Sequence, residues 1–138
     1  MTIEHPTNRD QYLLDIFTTA MEGGIGYWSQ AHSYHHWLRQ PEDRNDHDGY
    51  VEDHLGFYAD IVDLEADDDE AEYAPTMRID RGVIIKGYNL AATTWRNKLG
   101  WSSEPPPLVI TADTDWDYDA GDADLIVQLG LFGDVLYG

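Results

Sequence analysis

Apolar positions at Leu13, Ile16, Phe17, Ala20, Gly24, Tyr27, Trp28 and Ala31 recur at helical spacing, with Thr7, Asn8 and Asp10 as N-cap candidates ahead of them. This stripe predicts a first helix from about Gln11 to about Trp37. The segment R-Q-P-E-D-R-N-D-H-D-G, residues 39–49, is dense in turn formers and reads as an exposed loop. Y-A-D-I-V-D-L-E (58–65) and Y-A-P-T-M-R-I (73–79) flank an acidic turn and predict an antiparallel hairpin. Pro75 marks its second strand as an edge strand or a broken one. Asp80 is then placed to cap a second helix carrying the stripe Ile84, Tyr88, Ala91, Trp95 and Leu99, closed by Gly100. Pro105 to Pro107 interrupt helical structure, and L-V-I-T after them predicts a short strand. The ending D-A-D-L-I-V-Q-L-G-L-F-G-D-V-L-Y-G is apolar nearly all round and reads as a buried third helix. The whole predicts an α+β fold, three helices packed on a small antiparallel sheet, as a single domain over residues 1–138.

The stretch E-G-G-I-G-Y-W-S, residues 22–29, conflicts with this picture. Three helix-interior glycines cost about 3 kcal/mol together. Something must offset that cost. Two answers are open: close packing, with Gly130 and Gly133 of the last helix as the natural neighbours, or a ligand lying against exposed backbone amides.

Composition narrows the field. The hydrophobic content of 42%, with five Trp, nine Tyr and three Phe, suffices for one core. No apolar run approaches the roughly 18 residues of a membrane span, and the N-terminus has no signal-peptide pattern, so a soluble, cytoplasmic protein is expected. With no cysteine, disulfides and thiolate-bound metals are excluded. The formal charge of −19 disfavours direct contact with duplex DNA or an anionic membrane. It fits a solubilising surface, or carboxylates that imitate the phosphates of nucleic acid.

Two signatures carry a resemblance. Y-L-L-D-I-F-T-T-A-M-E-G-G-I-G-Y-W-S near the start and D-A-D-L-I-V-Q-L-G-L-F-G-D-V-L-Y-G at the end resemble a family of small bacteriophage proteins. Members of that family open with a helix ending in Glu-Gly-Gly-Ile-x-Tyr-Trp and close with an Ala-Asp-x-Ile-Val-Gln…Leu-Phe-Gly…Tyr-Gly helix. The similarity covers both ends and, loosely, Arg78 to Asn89. Pro41 to Gly49 and the proline-rich stretch have no counterpart. The resemblance implies a phage accessory protein at work in the cytoplasm of an infected bacterium. It supplies context rather than a mechanism.

Four groups of residues are candidates for chemistry. Glu22, Gly23, Gly24, Gly26, Tyr27, Trp28 and Ser29 would contact a ligand through backbone amides and side chains, with an aromatic ring stacked on a base. Arg78, Arg81 and Lys86 cluster at the start of the second helix, where amides favour phosphate, or they neutralise the acidic hairpin. His32, His35 and His36 sit at i, i+3 and i+4 of the expected first helix, a weak metal candidate that Glu22, His47 or His54 would complete. The His-Glu-x-x-His signature is absent. Finally, Asp113, Asp115, Asp117, Asp119 and Asp124 occupy positions 1, 3, 5, 7 and 12 of a calcium-loop frame. Tyr118 stands where that loop needs glycine, so the run reads first as an acidic cap on the last helix.

The expectation is therefore a non-enzymatic binding module with no cofactor and no resident metal. Its partner is a host protein or a small nucleotide-like ligand. An acidic DNA mimic and a small His/carboxylate hydrolase are the alternatives. The apolar last helix also allows a homodimer.

Overall fold

The computed structural model describes residues 8–39, 51–64, 76–93, 106–107, 110 and 118–137. Helix α1 spans Asn8–Thr19 and buries Leu13, Leu14, Ile16 and Phe17. It then widens into a single π-turn over Ala20–Gly24, with the Ile25 amide donating to the Ala20 carbonyl at 3.0 Å. The predicted helix thus stops near Gly24, well short of Trp37. The glycines that make its continuation costly are where the chain leaves it. The amides of Trp28 and Ser29 both donate to the Ile25 carbonyl at 3.2 and 3.1 Å, and the Ser29 hydroxyl does so at 2.8 Å, which turns the backbone into a strand.

That strand, β1 (Ser29–His35), pairs antiparallel with β4 (Tyr58–Asp63), Ser29 opposite Asp63 and His35 opposite Tyr58, with a register shift between Ala31 and Ser33. β4 pairs in turn with β5 (Met77–Asp80), the hairpin the sequence predicted. A second, two-stranded sheet joins β2 (Trp37–Arg39) to β3 (Val51–Glu52). The architecture is α+β, three helices with small antiparallel sheets. The loop at 41–49, Pro75, Trp95, Leu99 and the strand expected at L-V-I-T, apart from Ile110, lie outside the described residues.

Helix α2 (Arg81–Thr93) starts as expected: the Asp80 carboxylate accepts from the Val83 amide at 3.0 Å. Ile84, Tyr88 and Ala91 of its predicted stripe are buried. Helix α3 (Ala120–Phe132) opens with a capping box in which Asp119 and Asp122 each accept the other's amide, at 2.9 and 3.1 Å. Its end is a left-handed cap at Gly133, φ 74°. Helices α2 and α3 cross at two glycines. A methyl group on Gly87 would collide with the Ile126 carbonyl, and one on Gly130 with the Val83 carbonyl. Most of the apolar residues of α3 are buried within this chain.

One core unites these elements. Ala59, Ile61 and Ile79 from the three-stranded sheet join Phe17, Trp28, Ile84, Ile126 and Leu129 from the rest. The strand alternation leaves the other sheet face to Ser33, His35, Tyr58, Asp60, Arg78 and Asp80. Among the described residues no helix is long and apolar enough to cross a membrane.

Candidate functional site

The two sequence signatures meet in space. Trp28 is fully buried, its indole N–H donating to Asp124 Oδ1 at 2.8 Å and its ring stacked on Tyr137 with centroids 5.3 Å apart. Tyr27 stays half-exposed, yet its hydroxyl reaches back to Asp124 Oδ2 at 2.5 Å. One turn along α3, Gln128 Nε2 donates to Asp124 Oδ1 at 2.9 Å and to the Tyr137 carbonyl at 3.1 Å. Gln128 Oε1 accepts the amides of Leu136 and Tyr137, both at 2.9 Å. The Tyr137 hydroxyl closes the ring on Asp63 Oδ2 of β4 at 2.5 Å.

Asp124 is therefore a buried carboxylate held by three neutral donors. Stranding it without them would cost several kcal/mol, since burying an unpaired charge is among the largest penalties in folding. The arrangement favours the neutral phenol. Burial first, and the Asp124 carboxylate second, push Tyr27 up to about 12.

The glycines belong to the same assembly. Gly24 packs on α3 so closely that a Cβ would stand 2.7 Å from the Ala120 carbonyl, and Gly23 touches Ala120 more loosely. The close neighbour is the first turn of α3 rather than Gly130 and Gly133, which serve the α2 crossing and the helix end. Gly26 faces open space. Glu22 is exposed and accepts from the Tyr34 hydroxyl at 3.1 Å. In this conformation Trp28 has no free face for a ligand, and Ser29 is buried on the Ile25 carbonyl.

Arg78, Arg81 and Lys86 have other neighbours. Arg78 donates to both oxygens of Asp60 at 2.9 and 3.1 Å and lies 4.3 Å above the Tyr58 ring. That hydrogen bonding, aided by the Ser33 hydroxyl, lowers the Asp60 carboxyl below its usual range. Arg81 donates to Asp10 of α1 at 2.9 Å. Both arginines line an open hollow of about 270 Å³ with Leu55, Gly56, Phe57, Tyr58, Asp80 and Gly82. Lys86 is exposed further along α2 and is not among its lining residues.

The histidine spacing is not helical. His32 and His35 lie on β1 and His36 just beyond it, so the i, i+3, i+4 frame that suggested a shared metal does not exist. His35 Nε2 meets Asp53 Oδ2 at 2.8 Å and its ring stacks on Tyr58. His36 stacks on Tyr34, centroids 4.5 Å apart, and burial lowers its pKa. His54 bonds Gln11 of α1 instead, at 2.7 Å. Among the described residues no group of three or more His, Asp or Glu could hold a metal ion. In the calcium-loop frame, Asp119 is engaged as a helix cap and Asp124 with Tyr27, Trp28 and Gln128. Asp113, Asp115 and Asp117 lie outside the described residues.

Asp124, Gln128 and Tyr137 were the residues that sequence reasoning did not join to Tyr27 and Trp28. A signal existed: Asp and Gln spaced i, i+4 on an otherwise apolar helix are polar groups in need of partners. Comparison with protein-family models, curated proteins and solved structures returned no match.

Proposed function

We propose that the chain is a non-enzymatic binding module carried by a bacteriophage, acting in the cytoplasm of its host by occupying a host protein. The observation that supports this most is the closure of the signature network. Asp124 and Gln128 have their hydrogen-bonding groups filled by Trp28, Tyr27, Leu136 and Tyr137, so their chemistry goes into fixing a surface. Rigid aromatic rims of this kind suit binding, because little conformational entropy is lost on contact. The charge supports a basic target: every Lys and Arg lies at or before Lys98, while acidic residues run on to Asp134. A DNA mimic is one form of the same reading, in which the target is a DNA-binding protein.

The test is affinity capture from host lysate at low and high salt, with mass spectrometry of the retained proteins. A specific host protein, released as salt rises, is the expected result. Failure to retain any host protein above a charge-matched acidic control would overturn the reading.

A second reading, capture of a small nucleotide-like ligand, is favoured by one observation. Arg81 lines the open hollow, and its Nε is enclosed without a hydrogen-bond partner. Native mass spectrometry of protein purified from infected cells checks it. A bound phosphate-bearing compound that disappears in Arg81→Gln would support capture, and unliganded protein of the bare chain mass would count against it.

A further inference from the structure

The open hollow beside the start of α2 brings three kinds of side chain together. Its walls carry the cations Arg78 and Arg81, the carboxylate Asp80, and the apolar groups of Leu55 and Phe57. Phe57 is buried, whereas Leu55 is 68% exposed at this edge. Both arginines have donors to spare. Arg78 gives Nε and Nη2 to Asp60, and Arg81 gives Nη2 to Asp10, which leaves the Nη1 group of each for another acceptor among the described residues. Arg81 Nε is enclosed without a partner. On Asp80, Oδ1 accepts the Val83 amide and Oδ2 is left for a donor.

Charge and size restrict what such a hollow takes. Arg78 and Arg81 are matched by Asp60 and Asp10, so Asp80 tips the group to net negative in a chain whose formal charge is −19. A phosphate would add up to about two more negative charges. The volume of about 270 Å³ also lies below the range of about 300–1,000 Å³ that ligand pockets span, so the occupant is small. We infer that the hollow is a binding site for a free α-amino acid with an apolar side chain, its carboxylate held by Arg78 and Arg81, its ammonium by Asp80, and its side chain against Leu55 and Phe57. The inference rests on the small-ligand reading of this hollow and changes the ligand from a phosphate-bearing compound to a zwitterion. A zwitterion adds no net charge to an acidic protein, yet it answers both signs on the walls through charge-assisted hydrogen bonds. Its side chain would take part of the Leu55 surface out of water.

The experiment titrates L-leucine and L-phenylalanine into the isotope-labelled full chain and follows the NMR signals of the Gly56, Arg81 and Gly82 amides. N-acetyl-L-leucine, which lacks the ammonium, L-leucinamide, which lacks the carboxylate, and adenosine monophosphate are titrated in parallel. Arg81→Gln and Asp80→Asn probe the two charged ends, and Asn keeps a capping oxygen for α2. Lys86→Gln, an exposed change outside the hollow, is the control. Thermal melts verify that each variant folds, and the blocked ligands decide the matter on the wild type should one of them not.

The expected result is that at least one of the two amino acids shifts these three amides at concentrations below about 10 mM. Either blocked form should bind about tenfold more weakly, and R81Q and D80N should lose as much while K86Q binds as the wild type does. If N-acetyl-L-leucine binds as well as L-leucine, the ammonium has no place in the hollow and the zwitterion inference falls. If adenosine monophosphate shifts the three amides and the amino acids do not, the ligand class is wrong and the small-ligand reading stands. If none of the compounds shifts them, both fail together.

Discussion

Gly24 and Gly26 stand two positions apart in the same signature and are constrained by different things. Gly24 abuts a backbone carbonyl that cannot rotate away, whereas Gly26 has nothing within 4 Å of the position a Cβ would take. Gly24→Leu is therefore expected to destabilise the fold by about 1–3 kcal/mol through overpacking against α3. Gly26→Ala should stay within about 0.5 kcal/mol of wild type. Paired urea unfolding curves check both, and equal losses would refute the packing account. Asp124→Ala leaves the indole N–H of Trp28 enclosed without its acceptor and the Gln128 amide with the Tyr137 carbonyl but not the carboxylate, and a loss of about 3 kcal/mol is expected. The near-ultraviolet circular dichroism of Trp28 should weaken in parallel, as its ring is freed from Tyr137.

At the scale of elements, the helix-to-strand change at residues 24–29 marks the limit of what the sequence made legible. The stripe from Leu13 to Ala31 satisfies helical spacing, but Trp28 is buried against α3 and Tyr137, and Ala31 is exposed on a strand. A period cannot tell a continuing helix from a turn whose aromatic residue reaches a distant partner. The glycine cost did carry that information, but it reads in sequence as a site of close approach inside the helix rather than as its end. Elements set by local chemistry were readable: the Asp80 cap, the Ile84–Tyr88–Ala91 stripe, the β4–β5 pairing and the acidic cap of α3. The Asp124 network was not, since its members are brought together only by tertiary packing. The glycine crossing of α2 and α3 yields its own expectation. Gly87→Ala and Gly130→Ala should each unfold the protein at markedly lower temperature, because the obstructing atoms are backbone carbonyls of the facing helix.

For the molecule as a whole, pH dependence follows from groups whose folded and unfolded states titrate differently. Tyr27 is raised from 10.0 to about 12, and Tyr34, Tyr88 and Tyr118 shift upward too, burial being the largest cause in each. A raised phenol stays protonated in the folded state while the unfolded chain begins to ionise. Its contribution is complete below pH 10.0 and lost as the pH climbs through about 12, so stability should decline over that window. His36 moves the other way. Burial lowers it from 6.5 against the opposing fields of Glu22 and Glu52, so its contribution is present above pH 6.5 and diminishes as the solution is acidified below it. Chemical denaturation across the pH range should show both limbs, with Tyr27→Phe flattening part of the alkaline one. A flat profile from pH 9 to pH 12 would contradict the burial of these phenols.

The bonds between Trp28 or Tyr27 and Asp124 span 96 and 97 residues of chain. Synthesis runs from the N-terminus, so α1 and the turn after it are made long before their partner on α3 exists. Through that interval Trp28, the largest fully buried side chain among the described residues, has neither its acceptor nor the Tyr137 ring that covers it. Contacts this distant in sequence close late and slow the search for the native state. The protein's birth on the ribosome thus has a built-in wait: the N-terminal signature is inert until the C-terminal one emerges, and the native fold follows translation of α3 rather than accompanying it.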